Sequence, residues 1–116
     1  MPVMIALVLA AAFAAGCSSP SKEIKGSCAT VVKECQDVAN GDDVTVIVSG
    51  WPVSGLVFDD EVAITDGGEH GPSVYVHLKD GQDGAGVVGR TTFKGTLRTD
   101  MIFTDAIYLK DAEIVR

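Results

Sequence analysis

VTVIVSGWPVSGLVF, from Val44 to Phe58, is the point at which the apolar pattern of the chain changes to a period of two. Branched apolar residues alternate with other residues from Val44 to Ser49, which is typical of a strand with one face against a core. Gly50 follows and permits a bend, so we expect the strand to continue from Val53 to Phe58. The stretch predicts a long first strand in an antiparallel β domain.

The chain after Phe58 continues as short branched segments between Gly and Asp clusters. The clearest alternation lies at Ser73 to Lys79, where one face is apolar and predicted to point to the core. This core set is Val74, Val76 and Leu78, and the exterior set is Tyr75, His77 and Lys79. Further strands are predicted at Glu61 to Thr65, Gly86 to Thr92, Phe93 to Arg98, Met101 to Phe103 and Ala106 to Val115, the last with Ile107 and Leu109 facing inward.

A short helix is predicted ahead of the first strand, in SCATVVKECQDVAN, with Val31, Val32 and Cys35 near one face. One helix followed by five or six strands in about 75 residues predicts a mainly β domain that closes into a small barrel, because closure removes exposed sheet edges.

Three segments resemble the small OB-fold lipoproteins of bacterial envelopes: VTVIVSGWPVSG, SVYVHLKDG and IYLKDAEIV. The resemblance covers residues 41–116. It implies an OB-like, closed or partly open antiparallel barrel of five to six strands preceded by one short helix, and it implies no functional residues. A typical OB barrel has a helix between its third and fourth strands, whereas Gly86 to Arg98 predicts none. An SH3-like barrel or a small sandwich therefore stays open.

The N-terminus predicts export. An unbroken apolar run from Val3 to Ala15 is shorter than the roughly 20 residues of a membrane-spanning helix. It ends in Ala14-Ala15-Gly16-Cys17, which resembles the lipobox of bacterial lipoproteins. We predict a signal peptide at 1–16, a lipidated N-terminus and flexible tether at 17–27, and one domain at 28–116. A buried hydrophobic helix is the alternative reading of the apolar run.

Lipidation of Cys17 leaves Cys28 and Cys35 as an even pair in an oxidising compartment, which favours a disulfide. Seven helical steps separate their α-carbons by about 10 Å, beyond the limit of about 7 Å for a bridge. A bridge therefore requires Cys28 to lie outside the regular helix, which Gly26 and Ser27 permit. We predict the bridge, with two buried thiols as the alternative.

The charge of the chain argues against nucleic-acid binding. It has 9 basic and 16 acidic side chains and a formal net charge of −7. A phosphate backbone is repelled on average by such a surface. We expect no nucleic-acid partner.

No segment carries a catalytic, metal or cofactor motif. Glu69-His70 lacks a second ligand cluster at a recognised spacing, and Asp80 to Gly84 lacks the charges of a calcium loop. Ser54 lacks a nucleophile elbow, and Asp59-Asp60-Glu61 is typical of a solvated loop. We therefore predict no catalytic residue, no metal and no cofactor.

A binding face is the remaining candidate. Tyr75, His77 and Lys79 share the exterior of one strand, and on an OB-like barrel Arg90, Tyr108 and Lys110 join them. An ordinary polar exterior is the alternative. Trp51 is the only tryptophan, and we expect it to close the core, with display for ligand stacking as the alternative.

These observations predict a non-enzymatic, lipid-anchored envelope protein whose barrel binds a protein or an envelope component. In a Gram-negative cell it would sit on the outer membrane and face the periplasm. A small-ligand or oligosaccharide binder is the alternative, and an enzyme of unknown type is the third hypothesis.

Overall fold

The computed structural model describes residues 22–67 and 71–115. Its elements, in chain order, are β1 Lys22–Ser27, α1 Cys28–Cys35, β2 Val44–Val57, β3 Glu61–Thr65, β4 Ser73–Leu78, β5 Thr91–Phe103 and β6 Ala106–Val115, with one turn of 3-10 helix at Gly84–Gly86. The predicted leader, the predicted lipidation site Cys17 and the pair Glu69-His70 lie outside the described residues.

Five strands close into a barrel in the order β2-β3-β4-β6-β5, and β5 pairs back onto β2. The pair β4–β6 is parallel, and the other four barrel pairs are antiparallel. This is the connectivity of an OB-like barrel. The prediction of a mainly β, OB-like barrel preceded by one short helix is confirmed.

The long strand β2 holds the barrel together because its two halves have different partners. The first half pairs with β5, Thr45 opposite Thr96, and the second half pairs with β3, Trp51 opposite Thr65. Gly50 lies where the halves meet, and a β-carbon there would stand 2.8 Å from the Cys28 sulfur. The glycine is therefore required by the close approach of α1.

The hydrophobic core lies inside the barrel and consists of the inward-facing apolar side chains of the strands. Val74 and Val76 are fully buried in β4, as are Ile107 in β6 and Phe93 in β5. Burial along β4 alternates as the period-two pattern predicts, with Leu78 also buried.

Helix α1 covers one end of the barrel with its apolar face, including the buried Val31 and Val32. At the end where β3 begins, the 3-10 turn fills the space: the Gly84 amide donates to the Asp59 carbonyl oxygen at 2.9 Å. A β-carbon on Gly84 would collide with the Phe58 carbonyl oxygen. This turn occupies the chain position at which a typical OB barrel has a helix.

The N-terminus of α1 is held by a carboxylate distant in sequence. The Cys28 amide donates to Asp66 Oδ1 at 2.9 Å, and the Ala29 amide donates to Asp66 Oδ2 at 3.0 Å. Ser27 is the N-cap, and its Oγ accepts from the Thr30 amide at 3.2 Å. Three amides that a helix leaves unpaired are thus satisfied, and the helix is fixed to the end of β3.

Two parts of the predicted strand pattern are wrong. Lys22–Ser27, predicted as part of a flexible tether, forms β1, which pairs in parallel with β2 from Lys22 opposite Val44 to Ser27 opposite Ser49. Its single large apolar residue, Ile24, is buried. One apolar residue does not show the alternation from which a strand is predicted.

The predicted strand Gly86 to Thr92 is the second error. Gly86 ends the 3-10 turn, Gly89 has a φ of 70°, and β5 begins only at Thr91. From there the strand runs unbroken to Phe103, so the two segments predicted separately as Phe93 to Arg98 and Met101 to Phe103 are one strand.

The predicted disulfide is also wrong. Cys28 is the first residue of α1 and Cys35 the last, and both are buried free thiols. Both cysteines belong to the regular helix, so about 10 Å separates their α-carbons and no bridge can form without unwinding it. The alternative of two buried thiols is the observed one.

Candidate functional site

The outer face of the barrel carries an aromatic strip, formed by Tyr75, Tyr108 and Phe103. Tyr75 in β4 and Tyr108 in β6 are direct partners in the parallel pair, and their rings stack at 4.7 Å between centroids with 13° between planes. Phe103 in β5 meets Tyr108 edge-on at 5.9 Å. Stacked and edge-on pairs of this kind stabilise each other, so the strip is a fixed surface.

Trp51 does not close the core, which corrects the expectation. Its side chain is 46% exposed, and its backbone partner is Thr65 at the end of β3. A β-carbon on Gly67 would stand 3.4 Å from the indole Cδ1. In β3, Thr65 shares its outward face with Ala63, the partner of Tyr75. The indole therefore faces outward like the aromatic strip, and β3 lies between it and Tyr75.

His77 and Lys79 extend this face beyond Tyr75. His77 is exposed, and its Nε2 lies 3.7 Å from Asp60 Oδ2. Lys79 follows the last residue of β4 and donates to Glu113 in β6. That pairing holds the pKa of the Glu113 carboxyl below its ordinary value, with a further contribution from Lys94. Both side chains thus contact exposed carboxylates, and exposed contacts of this kind contribute little to stability.

The structure does not bring the other two predicted residues to the strip. Lys110 lines a cleft of mixed charge with Asp42, Asp43 and the ion pair Arg98–Asp100. Arg90 lies in a separate groove with residues of β1, β2 and β5. The predicted face therefore divides into three regions, of which only the first is aromatic.

Phe103 was missed by sequence reasoning. The turn Thr104-Asp105 between IF and AIYL is the signal that was available, because a tight hairpin there places Phe103 opposite Ala106 and diagonal to Tyr108. When Met101 to Phe103 is predicted as a separate strand, its pairing with Ala106 to Tyr108 across this turn is not predicted.

The two thiols of α1 are poorly suited to nucleophilic chemistry. Burial raises the pKa of Cys28 to about 12, and the Asp66 carboxylate adds to the effect. Burial also raises the pKa of Cys35 to about 11. Since the thiolate is the reactive form, both groups stay protonated and inert near neutral pH.

Within residues 22–67 and 71–115, no three His, Cys, Asp or Glu side chains lie close enough to hold a metal ion. Over the same ranges no helix is both long enough and apolar enough to cross a bilayer. No protein-family model, no curated protein and no solved structure was found to match the chain.

Proposed function

We propose that the chain is a non-enzymatic, lipid-anchored protein of the cell envelope whose barrel binds a protein or another envelope component through the aromatic strip. Residues 1–16 would be removed as a signal peptide and Cys17 would carry the lipid. The proposed binding partner is not a nucleic acid, because the net charge of −7 opposes a phosphate backbone.

The observation that carries the proposal is the fixed, partly exposed aromatic surface. Phe103 is 49% exposed although it contacts the ring of Tyr108. Aromatic residues are enriched at the centres of protein interfaces, where rigid rings bury much area at small entropic cost. The strip is therefore a surface that gains buried apolar area when a partner covers it.

Anchoring strengthens a weak module of this kind. A barrel held at a membrane meets other envelope components at a raised effective concentration, so moderate affinity is enough for stable association.

The experiment is photo-cross-linking of the full chain in native envelopes, with a matched pair of variants. Phe103→Ala removes an aromatic ring of the strip, and Phe58→Ala removes an equally exposed ring, 52% exposed, beside the turn between β2 and β3. We expect one cross-linked product to disappear in Phe103→Ala and to persist in Phe58→Ala, with both variants folded by circular dichroism. Equal products from both variants would contradict the assignment of the strip.

A second candidate, an oligosaccharide binder, is favoured by the exposed indole of Trp51. A flat ring beside Gly67 suits a sugar ring, which packs its axial C–H groups on an aromatic face. Because Trp51 is the only tryptophan, its fluorescence reports this directly. Titration with chitotetraose tests the idea: a saturable change in emission supports it, and an unchanged spectrum argues against this sugar class.

A further inference from the structure

A basic groove lies on the outer face of the sheet formed by β1, β2 and β5, apart from the aromatic strip. It is defined by three cationic side chains, Lys25, Arg90 and Lys94. The remaining lining is small or apolar and comes from Gly26, Ser27, Ile47, Ser49, Thr92 and Val115. Lys25 lies in β1, whereas Arg90 immediately precedes β5 and Lys94 lies in it, so the fold brings two distant segments of the chain together.

The strand register places the two lysines on opposite walls. Lys25 in β1 pairs with Ile47 in β2, and Ile47 pairs on its other side with Lys94 in β5. Two strand spacings separate the lysine α-carbons by about 10 Å. Two flexible side chains rooted that far apart reach one small group held between them, above Ile47.

Hydroxyl groups form the next row of the same face. Ser27 pairs with Ser49, and Ser49 pairs with Thr92. The hydroxyls of Ser49 and Thr92 lie 2.6 Å apart and share one hydrogen bond. Each oxygen keeps further capacity for bonding. Arg90 precedes β5 at this end of the groove, where its guanidinium adds a fork of donors.

No carboxylate lines the groove, although the chain has 16 acidic side chains. The neighbouring acids on this face are Glu23 in β1 and Glu113 in β6. Glu113 is the cross-strand partner of Lys94 and is also bound to Lys79. Three of the nine basic side chains of the chain thus line one groove, and Lys94 among them has a carboxylate as its cross-strand neighbour. Separated like charges of this kind are unfavourable by themselves, and an anion between them removes the repulsion.

We propose that the basic groove binds a phosphate group, carried either by a lipid headgroup or by a soluble phosphate ester. An arginine fork and lysine charges are the usual protein partners of phosphate, and hydroxyls complete its hydrogen bonds. The groove has a volume of about 620 Å³, within the range of small-ligand sites. The negative charge of the rest of the surface opposes a long polyanion and so selects a single phosphate.

The lipid source rests on the proposed function, because it requires the anchor at Cys17. An extended chain from Cys17 to Lys22 spans at most about 18 Å. Since Lys25 follows Lys22 in the same strand, an anchored barrel keeps the groove within reach of headgroup phosphates. The soluble source requires no anchor.

The test uses the full chain in neutral maltoside micelles, with glycerol 3-phosphate as the probe and amide NMR as the readout. We expect saturable shifts at Ile47, Ser49 and Thr92. The double variant Lys25→Gln/Lys94→Gln should weaken the affinity by about tenfold or more, since charged hydrogen bonds to phosphate are lost. Lys22→Gln/Lys33→Gln changes the net charge equally with exposed lysines outside the groove, and it should bind as the original chain does.

A second arm distinguishes the source. The full chain is reconstituted in phosphatidylcholine vesicles with and without phosphatidylglycerol, and amide exchange is followed in β1 and β5. Slower exchange that needs both phosphatidylglycerol and the two groove lysines assigns the lipid headgroup. A response to glycerol 3-phosphate alone assigns a soluble ester. No response in either arm, or equal responses of the two double variants, would overturn the proposal, and neither result depends on the aromatic strip.

Discussion

Val76→Ala tests whether β4 has one buried and one open face. Val76 is fully buried, and its neighbours in the flanking strands are Val62 in β3 and Leu109 in β6. The change removes two methyl groups, which costs about 1.6 kcal/mol of transfer free energy. The cavity left between rigid strands adds up to about 1 kcal/mol if it does not collapse. We therefore expect the free energy of unfolding to fall by about 1.5 to 2.5 kcal/mol.

The measurement is urea unfolding followed by far-ultraviolet circular dichroism, with the slope of the transition compared between variants. An unchanged slope with a lower midpoint means that stability alone has changed. A loss below about 0.5 kcal/mol would refute the burial argument, because substitutions of exposed residues change the free energy of unfolding by amounts of that size.

Two exterior variants on the same strand are the control. His77→Ala breaks only an exposed contact with Asp60 and should cost less than about 0.5 kcal/mol. Tyr75→Ala loses the stacked ring of Tyr108 and should cost about 1 kcal/mol. If the exterior variants matched Val76→Ala, a second layer would cover this strand and the open aromatic strip would have to be abandoned.

Three further predictions concern Cys17 and the contacts of helix α1. Cys17→Ser should abolish lipid labelling and leave an unprocessed precursor, because the thiol accepts the lipid; normal cleavage with membrane retention would reject the lipoprotein assignment. Asp66→Ala should lower the free energy of unfolding by about 1 to 2 kcal/mol, since two helix amides lose a charged acceptor; an unchanged urea midpoint would show that water replaces the carboxylate at no cost. Stability should fall as pH rises above about 9, because the thiols of Cys28 and Cys35 ionise near 9.0 when unfolded but only near 12 and 11 when folded. The unfolded state then binds fewer protons, and a chain with both cysteines changed to serine should lose less stability between pH 9 and pH 11; equal losses would exclude the thiols as the cause.

The barrel was predictable because its strands carry strong local patterns. Val44 to Ser49 and Ser73 to Leu78 alternate cleanly, and Glu61 to Thr65 has the predicted bounds. Successive side chains of a strand point to opposite faces of the sheet. The inward-facing and outward-facing residues of these strands can therefore be predicted from the sequence.

The errors arose where long-range contacts decide the conformation. β1 is a strand because β2 offers it a parallel partner, and no local signal announces that pairing. Trp51 is exposed because Gly67 and Thr65 leave it on the outer face, a result of register rather than of residue type. The basic groove depends on three segments converging across the sheet, so Lys25 and Lys94 carried no sequence signal at all.

The parallel register of β1 and β2 determines how the fold responds to mechanical load. A pull on the N-terminus enters at Lys22 and is directed along β1, away from Ser27. All the hydrogen bonds between the two strands then bear the force together, in shear, instead of opening one after another as a zipper does. Ser27 leads directly into α1, whose first amides are bound to Asp66. With the proposed attachment at Cys17, a pull on the anchor would load β1 in shear, and this strand would act as a mechanical clamp.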